Sequence, residues 1–326
     1  MLVTHNLTIK QDQTTILQNI DFTAAEGSTT ALLGPSGSGK TTFLRALMGL
    51  TPLSSGVITW HGERLTEGAE ILVAPHQRRF SMVFQEFILL PHLNVQQNIA
   101  LSLHHLDKKE RQEKVAALLQ LFGLSSHATS SITALSGGEK QRVAFARALA
   151  PAPRVLLMDE PFSNLDKAFR HELYAQIRDI LRQTATTTVL VTHDHHEAFF
   201  FSEQIYIFEN GMTRQSGTPK NIYESPASPW IASFVGDVNT LSMSAAQAEG
   251  FCRDQTGDDI LLVRPEKIKV ARAAEGGAAN GRVLAQSYLG PYEELVIKLL
   301  KSGLTLKVHD YDKQGLAVGS PVIVSL

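Results

Sequence analysis

The stretch Gly34-Pro-Ser-Gly-Ser-Gly-Lys-Thr41 limits most sharply what this chain can become. It follows the apolar run Ala31-Leu-Leu33 and leads into Thr41 to Leu50, where Phe43, Leu44, Leu47 and Met48 recur at helical spacing. A strand, a glycine-rich turn and a helix in that order point successive backbone N–H groups inward, beside the helix's positive N-terminal end, which makes a cradle for phosphate. Gly34, Pro35, Ser36, Gly37, Ser38, Gly39, Lys40, Thr41 and Thr42 are therefore the candidate phosphate-binding residues. Lys40 supplies a mobile positive charge, and the Thr41 hydroxyl is a candidate Mg²⁺ ligand. The motif alone also turns up in unrelated chains; its strand-to-helix setting gives it weight.

Further along, Val155-Leu-Leu-Met158 is wholly apolar and ends in Asp159-Glu160, as a buried parallel strand with carboxylates at its tip would. Thr187 to Val191 is a second such run, ending at Thr192-His193. Strands that alternate with helices and carry reactive groups at their C-terminal ends predict an α/β sheet. Beside a phosphate loop, Asp159 is the candidate metal carboxylate and Glu160 the candidate base for an attacking water. Between about 85 and 150 the texture is helical. Asp107 and Glu110 predict a capping box, Val115, Leu118, Leu119 and Phe122 an apolar face, and Gly123 a stop. Asn210-Gly211 predicts a hairpin turn.

Beyond Gly236 the composition shifts. Ala245 to Gly257 reads as polar and irregular, followed by short apolar runs at Ile260–Val263, Arg282–Leu284, Leu295–Leu299, Leu304–Val308 and Pro321–Val324. Turns at Glu275-Gly-Gly277 and Lys301-Ser-Gly303 separate them, which predicts a small all-β barrel. The expected division is 1–236 and 237–326. A net charge of −2 gives no bulk reason to expect nucleic acid, and residues 237–326 hold 10 Lys/Arg against 11 Asp/Glu with four aromatics, which argues against an oligonucleotide groove. No run nears the length needed to span a bilayer. The first residues lack the layout of a secretion signal, and the single Cys252 leaves no internal disulfide.

A third string, Leu135-Ser-Gly-Gly-Glu139, lies between the phosphate loop and Val155-Leu-Leu-Met-Asp-Glu160. With it the first 236 residues resemble the ATP-binding cassette (ABC) family: a phosphate-loop NTPase fold with a helical subdomain, ATP and Mg²⁺ as cofactors, and two chains sandwiching two ATP molecules. The resemblance implies that Gln85, in Val83-Phe-Gln-Glu86, contacts the metal and the lytic water, and that Ser136, Gly137 and Gly138 meet the γ-phosphate held by the opposite copy. It also implies that Ser163-Asn-Leu-Asp166 crosses between copies, with Asp166 at the nucleotide, and that His193 bonds the γ-phosphate. The family places an aromatic residue near the N-terminus to stack on adenine. The matching stretch here, Ile9-Lys-Gln-Asp12, offers Gln11, and no aromatic precedes Phe22. His195, His196 and Glu197 lack a third metal ligand and read as a helix start, and His104-His105 as solvated surface.

Arg264-Pro-Glu266 and Tyr288-Leu-Gly290 resemble the small OB-like barrel of bacterial solute importers. That implies an ATPase subunit, peripheral on the cytoplasmic face of the inner membrane, that works with integral membrane permease subunits and indirectly with a solute-binding protein. Phe234-Val-Gly-Asp-Val-Asn239 looks most like importers of ferric iron or polyamines, with sugars, sulfate and molybdate open. Phe87 and Leu90 are candidates for the groove that receives a permease helix. The rival reading is a soluble cassette ATPase acting on DNA or ribosomes. Against it stand the single cassette and the lack of a coiled-coil insertion between Lys40 and Ser136.

Overall fold

The computed structural model describes residues 1–163, 167–251, 260–274 and 278–326. Two compact units divide the chain, Met1–Ser225 and Pro226–Leu326, so the break falls ahead of the expected 236/237. The reason is local: in the second unit Arg264 Nη1 donates to the carbonyls of Ala232, Gly236 and Asp237 at 2.8, 3.0 and 3.0 Å, which ties residues 232–237 to the β-rich C-terminal part of the chain.

The first unit opens with the hairpin β1 (Leu2–Gln11) and β2 (Thr14–Ala24), then enters β3 (Thr29–Leu33) and α1 (Lys40–Met48). Strands β4 (Ser55–Trp60) and β5 (Glu63–Glu67) return to the hairpin and complete an antiparallel sheet of order β2-β1-β4-β5. Strands β6 (Phe80–Val83), β7 (Val155–Asp159), β8 (Thr187–Thr192), β9 (Gln204–Glu209) and β10 (Met212–Gly217) join β3 in a second sheet, of order β10-β9-β3-β8-β7-β6. All its pairings are parallel except that of β9 with β10, which turns at Asn210 (φ 49°) and Gly211 (φ 73°) as the Asn-Gly pair predicts.

Every residue of β3, β7 and β8 is buried, which explains their unbroken runs without polar alternation. One core links the two sheets through α1, with Leu7 and Phe22 from the first, Leu32, Leu157 and Val189 from the second, and Phe43 and Leu47 between them. Each such side chain contributes about 1.5–3 kcal/mol. Arg78 is the unexpected member of this interior: 1% exposed, it donates to the carbonyls of Val73, Leu47 and Leu65 and to the Thr66 hydroxyl. It thereby satisfies a carbonyl in the last turn of α1, and burial pulls its pKa down to about 10, leaving it charged at neutral pH.

Helices α2 (Val95–Ala100), α3 (Lys108–Leu121) and α4 (Gly137–Leu149) form the expected helical subdomain. Asp107 caps α3 by accepting from Glu110 N, without the return bond of a full box. Complete boxes occur instead at Asn94/Gln97 and at Ser136/Glu139. Val115, Leu118, Leu119 and Phe122 are buried as their spacing predicts. Helices α5 (Lys167–Gln183), α6 (His195–Phe201) and α7 (Pro219–Glu224) finish the unit.

The second unit begins with α8 (Pro229–Phe234), β11 (Asn239–Ser242) and α9 (Met243–Glu249). Helix α9 corrects the expectation of an irregular stretch from Ala245. Ser242 caps it, Gly250 (φ 79°) ends it, Ala246 packs into the core, and the buried Glu249 accepts from Ser302 N at 2.7 Å. Strand β12 (Ile260–Val263) pairs with β11. Strands β13 (Lys269–Arg272), β14 (Gly281–Tyr288), β15 (Glu293–Leu299), β16 (Thr305–Asp310) and β17 (Pro321–Ser325) form an antiparallel sheet of order β13-β17-β14-β15-β16. The Glu275–Gly277 turn and Cys252 lie outside the described residues. Among the described residues, no helix is long and apolar enough to cross a membrane.

Candidate functional site

The sheet order determines which residues can meet. The phosphate loop follows β3; His193 follows β8, Asp159 ends β7 with Glu160 next to it, and Gln85 lies two residues past β6. These strands are successive neighbours and all parallel, so the four groups come to one edge of the sheet. That edge, outside the carboxyl ends of the strands, is where open α/β sheets take their ligands.

Steric need explains the glycines of the loop. A Cβ on Gly34 would lie 2.2 Å from the Phe208 carbonyl oxygen, and Gly37 and Gly39 hold φ of 80° and 96°, which favour glycine. Gly39 is also the N-cap of α1 and offers no side chain to its first turn, which leaves those N–H groups for a ligand. Lys40, 5% exposed, folds back so that Nζ donates to the carbonyls of Gly34 and Pro35, both at 2.8 Å. Burial lowers its pKa while Glu160 and Asp159 oppose the shift, and among the described residues no carboxylate pairs with it directly. An ammonium held by two carbonyls and, at 3.4 Å, the Ser38 hydroxyl, beside uncapped helix N–H groups, suits a polyphosphate.

Thr41 Oγ1 donates to Asp159 Oδ1 at 3.0 Å. Burial raises the Asp159 carboxyl, with the Thr41 bond acting against it. A hydroxyl and a carboxylate oxygen side by side are the donor set of a hard divalent ion, so the pair fits Mg²⁺.

Glu160 takes a left-handed backbone (φ 43°), uncommon for a residue with a side chain and costing about 1–2 kcal/mol. Its N–H donates to Val191 O of β8 at 2.9 Å, while Ser163 N and Oγ donate to its carbonyl. This turn places Glu160 Oε2 3.0 Å from His193 Nδ1. A carboxylate only accepts, so Nδ1 carries the hydrogen of this bond, and Nε2 can bond a phosphate oxygen only when it carries a hydrogen as well. The stretch holding His193 is braced from behind. Thr192 Oγ1 donates to Glu197 Oε2 at 2.6 Å and accepts from Asp194 N at 3.0 Å, and Tyr174 Oη donates to Glu197 Oε1 at 2.8 Å. Glu197 is 3% exposed, and burial raises its carboxyl pKa. By sequence it reads only as part of a helix start; a lone buried acid beside two histidines carries no pattern that reveals it.

Ser136 does not join this edge through its side chain. Its Oγ donates to Glu139 Oε2 at 2.9 Å, its N–H to the same oxygen at 2.8 Å, and both groups stay within the first turn of α4. Gly137 and Gly138 open that helix. Asp166 lies outside the described residues. Gln11 stands exposed at the β1–β2 turn, and Phe22 is 1% exposed, packed on Phe43 and Tyr206, so Phe22 supplies no stacking surface. The groove of the helical subdomain, about 580 Å³, runs between α2 and α3 past Leu93, Ala100, Leu101, Arg111 and Val115. Phe87 and Leu90 do not line it. The carbonyls of Phe87 and Ile88 accept from Arg147, and Asn98 bonds Leu90 N and O, which fixes this loop against the subdomain.

Fold and site together define a nucleotide-binding protein of the phosphate-loop α/β class. The ABC transporter family model matches residues 17–163 and the TOBE domain model residues 261–326. The ferric-ion import ATP-binding protein FbpC of Rhizobium etli is 39% identical over 302 residues, covering 87% of this chain and 84% of its own length. The spermidine/putrescine import ATP-binding protein PotA of Nitratidesulfovibrio vulgaris is 36% identical (88% and 83% covered). The sulfate/thiosulfate import ATP-binding protein CysA of Synechocystis is 36% identical (94% and 86%). The chain belongs to the ABC transporter family of ATP-binding proteins. Among solved structures, cbiO1 of Clostridium perfringens, part of the cbiONQ transporter complex, superposes with a TM-score of 0.64 at 25% identity, covering 69% of this chain and 90% of its own. A dimeric post-hydrolysis cassette, MJ0796 with ADP and Pi, superposes at 0.59 with 28% identity, covering 67% and 99%.

Proposed function

We propose that this chain is the ATP-hydrolysing subunit of a bacterial solute importer, acting as a homodimer on the cytoplasmic face of the inner membrane with integral permease subunits and a solute-binding protein. The observation that carries the reading is the Glu160–His193 contact of 3.0 Å, set beside the Thr41–Asp159 pair at the edge where the phosphate loop ends. Lys40 and the loop N–H groups hold the β- and γ-phosphates. Thr41, Asp159 and Gln85 hold Mg²⁺, which when bound neutralises charge on the transferring phosphoryl group. Glu160 orients the attacking water and takes its proton, and His193 donates to the γ-phosphate through a protonated Nε2 while Glu160 fixes its ring. Ser136, Gly137 and Gly138 serve the partner's nucleotide, which agrees with a Ser136 whose bonds stay inside its own helix turn. Asp166 works at the crossing between copies. The α2–α3 groove, lined by Leu93, Leu101 and Val115, receives the permease helix.

Ferric iron is the proposed solute, since relatives named as Fe(3+) importers cover 80% to 87% of this chain. Relatives named for polyamines and sulfate match at similar identity, so the test compares solutes. Cells lacking this chain and cells restored with it are given labelled ferric iron, spermidine and sulfate, and detergent extracts are searched for a polytopic permease bound to it. Restored iron uptake with a co-purifying permease supports the reading. Restored uptake of another solute moves the substrate assignment, and co-purification of ribosomal or DNA-repair proteins alone overturns the importer.

A further inference from the structure

The second unit holds a cluster of polar side chains that the ATP site does not use. Glu294 of β15 and His309 of β16 stand directly opposite each other in register. They lie on the face away from Leu295, Ile297, Leu306 and Val308, which fill the core. Asp237, in the link between α8 and β11, is held against them from both sides. The Asn239 side chain bonds Lys307 O at 2.8 Å and Lys307 N at 2.7 Å, and Arg264 takes the Asp237 carbonyl at 3.0 Å. The ligand-capable atoms of Asp237, Glu294 and His309 all lie within 4.8 Å of one another.

A second observation separates this cluster from an ordinary acidic patch. The His309 side chain is only 10% exposed, its ring is stacked on Tyr292 at 4.1 Å, and its Nε2 is buried without a hydrogen-bond partner. That nitrogen faces Asp237 Oδ2 at 4.0 Å and Glu294 Oε2 at 3.9 Å, too far to bond either. An orphaned buried nitrogen is costly. Donors bound to one ion at about 2.1 Å are separated by no more than about 4.2 Å, and both distances fall inside that limit. The charge is also arranged for exchange. Lys307 Nζ sits 3.2 Å from Asp237 Oδ2 and 3.3 Å from Glu294 Oε2, on a side chain that is 40% exposed and has room to swing outward.

We propose that Asp237, Glu294 and His309 form a binding site for a divalent first-row transition ion, and that the Lys307 ammonium closes the site when the ion is absent. One imidazole nitrogen and two carboxylate oxygens suit Zn²⁺, Mn²⁺ and Fe²⁺, with Zn²⁺ bound more tightly than Mn²⁺. The ion would join β15 and β16 to the segment ahead of β11 and satisfy the His309 nitrogen. The competing account is a permanent ion-pair network in which Lys307 is the only cation. The two accounts predict opposite behaviour when Lys307 is removed.

The test uses the full chain, free of nucleotide, titrated with Zn²⁺ against a chromophoric chelator and with Mn²⁺ by electron paramagnetic resonance. One Zn²⁺ per chain is expected that Asp237→Asn and His309→Gln each weaken by at least about tenfold, and that His193→Ala leaves in place. Lys307→Ala should tighten it about tenfold, since two carboxylates then stand uncompensated. Variant melting curves identify any that fail to fold, and Lys307→Ala keeps all three ligands whatever the others do. Equal Zn²⁺ affinity in the wild type, Asp237→Asn and His309→Gln overturns the site, as does a Lys307→Ala variant that binds no more tightly than wild type.

Discussion

Replacing Gly34 by alanine separates packing from backbone strain in the phosphate loop. The added Cβ would stand 2.2 Å from the Phe208 carbonyl oxygen and 3.0 Å from Ser38 Oγ. Non-bonded carbon and oxygen need more than about 3 Å, so the loop and β9 must part by roughly 1 Å. Strand β9 is paired on both sides, with β3 and β10, and Phe208 is fully buried, so the loop is what moves. The 2.8 Å bond from Lys40 Nζ to Gly34 O is then lost. Overpacking of this kind costs about 1–3 kcal/mol, and the melting point of a unit this size falls by about 2–4 °C per kcal/mol. A displacement near 1 Å at a reacting centre costs about 10²-fold in rate. Gly37→Ala is the control: its Cβ meets nothing within 4 Å, and only the φ of 80° opposes it, at about 1–2 kcal/mol. Phosphate release at saturating ATP and thermal melting are measured for both. The reasoning predicts Gly34→Ala to be about a hundredfold slower than wild type and clearly slower than Gly37→Ala; equal turnover in the two variants refutes it.

Three other predictions rest on separate features. Arg78→Met should cost about 3–5 kcal/mol in denaturant unfolding, because it strands the Leu47 and Leu65 carbonyls and the Thr66 hydroxyl in the interior; a loss under 1 kcal/mol counts against that role. Burial raises the Glu197 carboxyl above its ordinary 4.5, so the folded state keeps a proton that the unfolded chain releases, and stability falls as pH rises from 4.5 through the raised value. The stability difference between Glu197→Gln and wild type should therefore grow in the variant's favour across that window, and a pH-independent difference contradicts it. If Gln11 stands where the family's adenine-stacking aromatic would, and with Phe22 buried, GTP should support hydrolysis within about tenfold of ATP, the missing stacking being worth about 1 kcal/mol; a preference far above tenfold means that another residue provides the platform.

The parts of the site legible in the sequence are those whose chemistry is local. The phosphate loop, the carboxylates ending β7 and the histidine ending β8 each sit where a strand stops, and a strand end shows in a short window of sequence. Long-range partnerships do not show there. Nothing local marks Arg78 as buried before α1 and β5 fold around it, and Glu197 reads as a helix start until Tyr174 and Thr192 close on it. Asp237, Glu294 and His309 are scattered over some seventy positions and meet only through the β15–β16 register and the Asn239 clamp. The β2-β1-β4-β5 sheet is hard to see in the sequence because its hairpin carries bulges between Thr4 and Leu7 and again near Ile9, which interrupt the alternation that marks a half-buried strand. The signature Leu135-Ser-Gly-Gly-Glu139 stands out for its glycines, while its Ser136 and Glu139 also form the complete capping box that Asp107 and Glu110 do not.

Glu160→Gln tests the central claim most directly. The substitution keeps the side chain's shape but removes the base at the position bonded to His193. Single-turnover phosphate release and light scattering are followed together after adding Mg²⁺ and ATP. The account predicts hydrolysis slowed by about 10²–10⁴-fold, with ATP still bound and the chain accumulating as a stable dimer. Hydrolysis near the wild-type rate, or a chain that stays monomeric with ATP bound, contradicts it.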